Sequence, residues 1–382
     1  MNIGYSILTV RPGMVGGAET YLQELLRVIP TSTGVDRVVL FANRGAAAAY
    51  EQLANDSRIE LKALSSVRTP SGTFQRALNL GRSLAAPKRI WGNEDAGLDL
   101  IHFPVAVGLP EPTVPWAVTL HDVAHHSVPE LFSRADRAYR AIAYDRAAKH
   151  AGLVITVSEH AKGQIVTYLG VAPEKVVAIP LGIDHQRFFP GPVDSDMNDL
   201  NELNLPGRYV LYPANMWDHK NHLKLIAAFG DVTDKDLHLV LTGQTYGRDE
   251  ELRSSIERAG LARRVHHLGH VRSAVLPALY RGSLGLVFPS LFEGFGIPPL
   301  EAMACGVPVA CSHTGSLGEV VADAALVFAP TDRDSISTAI DDLVSNEGLR
   351  RDLTRAGMQR ANEFTWARAR SQHLAAYESL LA

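Results

Sequence analysis

Short apolar runs alternate with helical stretches along almost the whole chain, and this alternation restricts the fold more than any other feature. Strand candidates lie at 2–10, 36–42, 59–64, 98–103, 115–121, 152–157 and 176–180. Between them fall helical patterns at about 17–29, 45–55, 73–90, 131–150 and 158–169. Over 131–150 the period puts Leu131, Ala135, Ala138, Tyr139 and Ile142 on one stripe, with Arg134, Arg137, Arg140 and Arg146 mostly off it. Ser158 is placed to cap the next helix and Gly170 to end it. Runs such as LVITV and WAVTL are apolar throughout, which predicts strands buried on both faces, as in a parallel sheet covered by helices. Residues 188–207 are polar, hold Pro and Gly and show neither period, so they read as a linker. The alternation then restarts, with strands near 208–214, 237–242, 264–268, 285–289, 307–311 and 325–328. Helices fall near 220–229, 249–260, 273–281, 298–305, 316–322, 333–346 and 348–362, and a last amphipathic helix covers about 366–381. The pattern predicts an α/β chain of two Rossmann-like doubly wound domains in series, 1–187 and 208 onward. Ligands of such folds sit at the C-terminal ends of the strands, here in a cleft that the two domains face.

Composition narrows the function classes. The 382 residues suit two domains, and 46% hydrophobic with 20% charged residues excludes a disordered chain. No run of about 18 uncharged apolar residues predicts a membrane-spanning helix. The N-terminus MNIGYSILTV lacks the basic region and cleavage site of a signal peptide, so a cytoplasmic location is expected. Cys305 and Cys311 are too few for a disulfide framework or a cysteine-built metal site and read as buried small residues. Net charge is −4, with residues 1–187 at +2 and the remainder at −6. Within 58–89 stand Arg58, Lys62, Arg68, Arg76, Arg82, Lys88 and Arg89 against the single acid Glu60. That stretch suits an anionic partner, such as a lipid-linked or membrane-bound group met by peripheral contact, and a solvated surface suits it equally. Nothing is basic enough to argue for nucleic acid.

The chemistry concentrates in FPSLFEGFGIPPLEAMACGVPV, 288–309. Glu293 and Glu301 are eight helical steps apart, about 80° out of alignment, so one continuous helix does not bring them to one face. Gly294 and Gly296 instead suggest a loop after the strand, and Pro298 or Pro299 a helix start, with Glu293 in the loop and Glu301 in the first turn. A free helix N-terminus favours phosphate and flanking carboxylates favour hydroxyl groups, and a sugar nucleotide presents both. In the N-terminal part, Gly13, Gly16 and Gly17 make a loop that opens a helix after the first strand and lets backbone approach a phosphate. It is neither a GxGxxG fingerprint nor a Walker A sequence. His121 ends the strand WAVTLH and is a site candidate. His121, Asp122, His125 and His126 also read as metal ligands, although their spacing fits no standard site. The DSD at 194–196 lies in the linker and is not read as metal-binding, and His266, His267 and His270 read as structural.

EGFGIPPLEAMACGVPVACS resembles the E-x7-E signature of the retaining family-4 glycosyltransferases with the GT-B fold. The likeness extends over nearly the whole chain, through TVSEHAKGQIVTYLGVAPEKVVAIPLGID, YVLYPANMWDHKNHLKLIAAF and HLGHVRSAVLPALYRGSLGLVFPS. The closing FTWARARSQHLAAYESLL is similar to the family's helix that crosses back to the N-terminal domain. The domains implied are 1–187 plus 366–382 for the acceptor, 188–207 as linker and 208–365 for the nucleotide sugar. By this resemblance Glu301 holds the ribose hydroxyls, and Glu293 a hydroxyl of the donor sugar. The amides of Phe295 and Gly296, with Ile297, orient that sugar, and Lys220 stabilises the departing diphosphate. Val271 meets the base through its backbone, His121 lies near the donor sugar, and Gly16 and Gly17 face the donor phosphates and acceptor. The reaction implied is front-face, retaining and metal-independent, with no cofactor and with the nucleotide-diphosphate sugar as co-substrate.

One departure stands out: the family's Arg before that Lys is replaced by Ala214 and Asn215, so His219 or the Gly13–Gly17 loop must supply the missing compensation. HDVAHHSVPELF and YPANMWDHKNH look most like bacterial enzymes of cell-surface polysaccharide biosynthesis, which favours mannose from GDP-mannose. UDP- or dTDP-linked glucose, N-acetylglucosamine or rhamnose are the alternatives, as is a non-catalytic nucleotide-sugar-binding protein. Epimerases and phosphorylases on the same fold lack the EGFGIPPLE arrangement.

Overall fold

The computed structural model describes residues 1–10, 17–51, 57–64, 78–81, 84–85, 91, 93–191 and 193–382. Gly13, Gly16, most of the expected helix at 73–90 and the basic residues Arg68, Arg76, Arg82, Lys88 and Arg89 lie outside them. The chain divides into two compact units, Met1–Gly182 with Trp366–Ala382, and Ile183–Thr365.

The first unit holds seven strands: β1 Asn2–Ile7, β2 Arg37–Ala42, β3 Ile59–Ala63, β4 Leu100–Phe103, β5 Trp116–Thr119, β6 Leu153–Thr156 and β7 Val176–Ala178. Their order is β3-β2-β1-β4-β5-β6-β7, every pair parallel. β4, β5 and β6 are buried at every position, as expected for strands covered on both faces. Ser158 Oγ accepts from the Ala161 N–H at 3.0 Å, and Gly170 closes that helix at φ 64°, so both ends form where the residue types put them. The C-terminal helix Trp366–Leu381 belongs to this unit and packs against the helix Gly17–Val28.

The stripe expected over 131–150 is not the buried one. A helix begins at Arg134, capped by Ser133, and a π-helical turn occupies Ala141–Asp145 before the helix resumes at Arg146–His150. The wider turn rotates the following residues out of a 3.6 period. Ala143, Ala147 and Ala148 are therefore buried, while Ile142 is 47% exposed and Ala135 and Ala138 face solvent.

The second unit holds β8 Tyr209–Pro213, β9 His238–Thr242, β10 Val265–His267, β11 Gly285–Phe288, β12 Val309–Ser312 and β13 Leu326–Phe328. Their order is β10-β9-β8-β11-β12-β13, again all parallel. Both sheets reverse direction of growth once, between β1 and β4 and between β8 and β11, which is the doubly wound Rossmann-like plan. No helix among the described residues is long and apolar enough to cross a membrane.

The 188–207 segment is more ordered than a linker. It carries a helix, Asp194–Glu202, pinned to the second unit because Arg281 donates from Nε and Nη2 to the two Asp196 oxygens at 2.6 and 2.7 Å. Both partners are largely buried, so removing either leaves an uncompensated charge at a cost of about 3–5 kcal/mol. The helix escapes a periodicity reading because a buried aspartate, and not an apolar stripe, anchors it.

Candidate active site

In the second unit the site residues leave the sheet from the two strands that flank its reversal, where open α/β sheets bind ligands. β8 leads to a 3₁₀ turn, Asp218–Lys220, and β11 leads to the loop that carries Glu293. Asn221 takes the left-handed conformation at φ 61° and ends the turn. Its amide donates to the carbonyls of Pro289 at 3.1 Å and Pro330 at 2.8 Å, and the Leu291 N–H donates to the His219 carbonyl at 2.7 Å. Those bonds hold the two loops together, and the Lys220 ammonium forms an ion pair with Glu293 Oε1. The side chains are 17% and 11% exposed, and Lys220 Nζ stands 5.4 Å from the centre of the Phe288 ring.

The backbone of Glu293 is clamped from the loop after β12. The Ser316 N–H and Oγ–H both donate to the Glu293 carbonyl, at 3.1 and 3.0 Å, and Oγ also reaches the Phe295 carbonyl at 3.1 Å. Gly315, at φ 62°, lets this approach happen, since a Cβ there would lie 2.4 Å from the Glu293 oxygen. Gly296, at φ 98°, then starts the helix Ile297–Ala304 with no side-chain cap, and Pro298 sits in its first turn. Pro298 and Pro299 carry no N–H, so of the first three helical residues only Ile297 offers one to another acceptor. Phe295 is buried, its ring edge-on to Phe364 with centres 5.8 Å apart, and Ile297 is half-buried.

Glu301 lies in the second turn of this helix and not the first, because the helix begins at Ile297, ahead of both prolines. The Tyr280 hydroxyl donates to Glu301 Oε2 at 2.8 Å. Burial pushes the Glu301 carboxyl up to about 6, against the opposing pull of that hydroxyl and of the Arg187 guanidinium. Tyr280 was not singled out in the sequence. It sits on the buried side of its helix, and no periodicity marks a hydroxyl whose partner is 21 residues away.

Asn215 serves the loops. Its Oδ1 accepts from the Gln244 N–H at 2.8 Å and its Nδ2 donates to the Tyr246 hydroxyl at 3.3 Å, tying the exit of β8 to that of β9. Val271 follows β10, half-buried. His267 donates to the Gly243 carbonyl and His266 pairs with His238, so both are held within the sheet edge. Cys305 and Cys311 are free and buried, their thiols pushed up to about 12.

In the first unit His121 stands just past the end of β5. Its Nε2–H reaches the Pro104 carbonyl at 3.3 Å, and burial lowers the imidazole below its ordinary value. Gly17 opens the helix that follows β1 and is exposed. His125 and His126 donate to the two oxygens of Asp145, at 3.0 and 2.8 Å. The three side chains stand close enough to hold an ion, but among the described residues the buried His125 Nδ1 has no partner, so none of them gives the outer support typical of a ligating imidazole. Asp122 Oδ1 accepts from the Ala124 N–H and so caps the same short turn.

Residues 15–187 match the family described as Glycosyltransferase Family 4, and residues 196–360 the family described as Glycosyl transferases group 1. Over 266 residues the chain is 32% identical to the O-antigen chain mannosyltransferase B of Escherichia coli, covering 69% of this chain and 70% of that one. This chain belongs to the family-4 glycosyltransferases. A second relative of this glycosyltransferase, the MMP alpha-(1->4)-mannosyltransferase of Mycolicibacterium hassiacum, is 30% identical over 62% of this chain and 56% of that one. The fold of this chain is similar to that of sucrose-phosphate synthase from Thermosynechococcus elongatus (TM-score 0.80, 20% identity, 100% and 99% of the two chains). Anabaena HepE, solved with UDP and glucose, shares it as well (TM-score 0.77, 20% identity, 99% and 100%). The two parallel sheets, with the terminal helix returned to the first unit, make it a GT-B glycosyltransferase.

Proposed function

We propose that this glycosyltransferase moves a mannosyl group from GDP-mannose to a glycan or lipid-linked acceptor in cell-surface polysaccharide assembly, with retention at the anomeric carbon and without a bound metal. The observation that carries the reading is the pairing of Lys220 with Glu293 at the reversal point of the second sheet. Mannose is supported by both relatives named above, which are mannosyltransferases.

As the bond from the anomeric carbon to the diphosphate breaks, negative charge gathers on the β-phosphate. Lys220 is a compact cation already oriented by Glu293, so stabilising that charge needs little rearrangement. The uncapped helix end at Phe295, Gly296 and Ile297 offers N–H groups to the same region. Glu293 accepts a hydrogen bond from a sugar hydroxyl, and Glu301 accepts from the ribose, Val271 presenting its backbone to the base. His121, with Gly16 and Gly17, serves the sugar and acceptor from the N-terminal domain. The acceptor hydroxyl attacks the anomeric carbon on the face the phosphate leaves, and its proton passes to the departing phosphate oxygen. No protein nucleophile or cofactor enters the balance. Asn215 is engaged with the β9 loop, so Lys220 and the helix end carry the charge that the family's usual Arg would share.

Such an enzyme works in the cytosol, at the inner membrane face when the acceptor is lipid-linked. Charge reversal at Arg76, Arg82 and Lys88 is expected to weaken acceptor or liposome association, and unchanged binding in a liposome assay counts against that contact. A thermal-shift series with GDP, UDP, dTDP and ADP, each with and without EDTA, tests the donor. Saturation at 100 times the dissociation constant adds about 2.7 kcal/mol. A rise with GDP alone, unchanged by EDTA, is the expected result. A rise confined to UDP or dTDP overturns the donor, and no rise with any nucleotide overturns the reading.

A further inference from the structure

Five hydrogen bonds thread six buried side chains of the first unit into one chain, and a sixth ties its end to a backbone carbonyl. The members are Tyr5 on β1, His102 on β4, Thr119 on β5, Tyr21 on the helix Gly17–Val28, and His373 and Tyr377 on the C-terminal helix. All are at most 1% exposed.

The direction of the chain follows from its one unambiguous end. The Ala369 carbonyl only accepts, so His373 Nδ1 carries a proton and donates to it at 2.7 Å. Burial keeps this imidazole neutral, lowering it to about 4, so Nε2 must accept, and the Tyr21 hydroxyl donates to it at 2.8 Å. The Tyr21 oxygen then accepts from Thr119 Oγ1 at 2.8 Å, and Thr119 from His102 Nε2–H at 2.7 Å. His102 Nδ1 accepts from the Tyr377 hydroxyl at 2.8 Å, and Tyr377 from Tyr5 at 3.0 Å. The two imidazoles therefore hold opposite tautomers. Each hydroxyl between them donates once and accepts once, and no member can turn without turning the rest.

The middle of this chain lies beside His121. Thr119 is two residues ahead of it, and the Tyr21 ring meets the His121 ring edge-on, centres 5.0 Å apart at 88°. Among the described residues His121 makes one hydrogen bond, the long one to Pro104, so edge-on packing against the Tyr21 ring is the second constraint on its orientation. Tyr21 also sits one turn along the helix that Gly17 opens.

We propose that His373 and Tyr377, on the C-terminal helix, are positioning residues for His121, acting through Thr119 and Tyr21. The inference rests on the reading of His121 as a residue at the donor sugar, and it explains why a helix following the second unit is bound into the first by polar bonds.

The test pairs rates with a spectrum. Thr119→Val removes the hydroxyl at constant shape, Thr119→Ser retains it, and Tyr377→Phe breaks the chain two links before Thr119. In each variant, initial rates with GDP-mannose are measured alongside the ¹⁵N resonances of the histidine rings at pH 7.5, with His121 assigned from His121→Gln. Thr119→Val and Tyr377→Phe are expected to shift the His121 resonances and lower kcat about tenfold, with the donor KM held within about twofold. Thr119→Ser is expected to restore both. Unmoved His121 resonances, or an unmoved kcat per folded molecule, overturn the proposal. If the wild type transfers no sugar, the functional reading fails by itself, and the His121 resonances still decide whether the chain positions that ring.

Discussion

The Lys220 ammonium and the Glu293 carboxylate, 73 residues apart in the chain, neutralise one another across the reversal point of the second sheet. Each is thereby held at low exposure without a bare charge, and each is oriented before any ligand arrives. A diphosphate entering here adds an anion to a cation whose side chain is already fixed.

Lys220→Ala and Glu293→Gln are each expected to lower turnover by about a hundredfold or more. The double variant is expected to fall little further than the worse single one, because the two act as a unit. Initial rates for the four proteins of this cycle measure it, and strict additivity would show that the ion pair is incidental.

The Glu301 carboxyl, raised by burial to about 6, predicts that nucleotide affinity falls as the pH drops through that value. Tyr280→Phe removes the hydrogen bond that favours the ionised form, so the fall is expected to begin at higher pH. Titrations of GDP between pH 5 and 8 read the midpoint. The stability sign is opposite: a carboxyl raised above its unfolded value contributes stability present at low pH and lost as pH rises through about 6, on the order of 2 kcal/mol.

His373 and His222 are each lowered to about 4, and His102 well below its ordinary value, all by burial. Such groups contribute stability present above pH 6.5 that is lost as pH falls through the folded value, about 3 kcal/mol for His373 alone. The histidines outweigh Glu301, so the melting temperature is expected to drop steeply between pH 6.5 and 4. His373→Leu should start less stable at pH 7.5 and lose less over that interval. An unchanged slope would count against a neutral His373.

Gly315→Ala places a methyl against the Glu293 carbonyl at a left-handed φ. The expected cost is about 1–3 kcal/mol, with a disproportionate loss of turnover because the Glu293 loop must move. Urea unfolding beside rate measurements separates the two, and a loss of stability with normal turnover would show that the loop tolerates the shift.

The strands were legible because their signal is local. LVIT and WAVT are apolar up to a closing threonine and buried at every position, as a parallel strand covered on both faces requires. Ser158 and Gly170 were equally legible, since a cap satisfies groups within one turn of itself. The π-helical turn at Ala141–Asp145 and the helix at Asp194–Glu202 were not. The first breaks the period on which the reading relied, and the second depends on Arg281, 85 residues beyond Asp196.

The same division runs through the site. Strand alternation, the glycine and proline punctuation and the glutamate spacing of 288–309 determined two doubly wound domains and named Glu293 and Glu301, because backbone conformation answers to neighbouring residues, while Lys220 was named by the family resemblance. Only the tertiary structure decided that Lys220 pairs with Glu293, that Tyr280 serves Glu301, and that His102, Thr119, Tyr21, His373 and Tyr377 share one hydrogen-bond chain. A buried polar group must find its partner wherever the fold places one, and nothing along the chain records that distance.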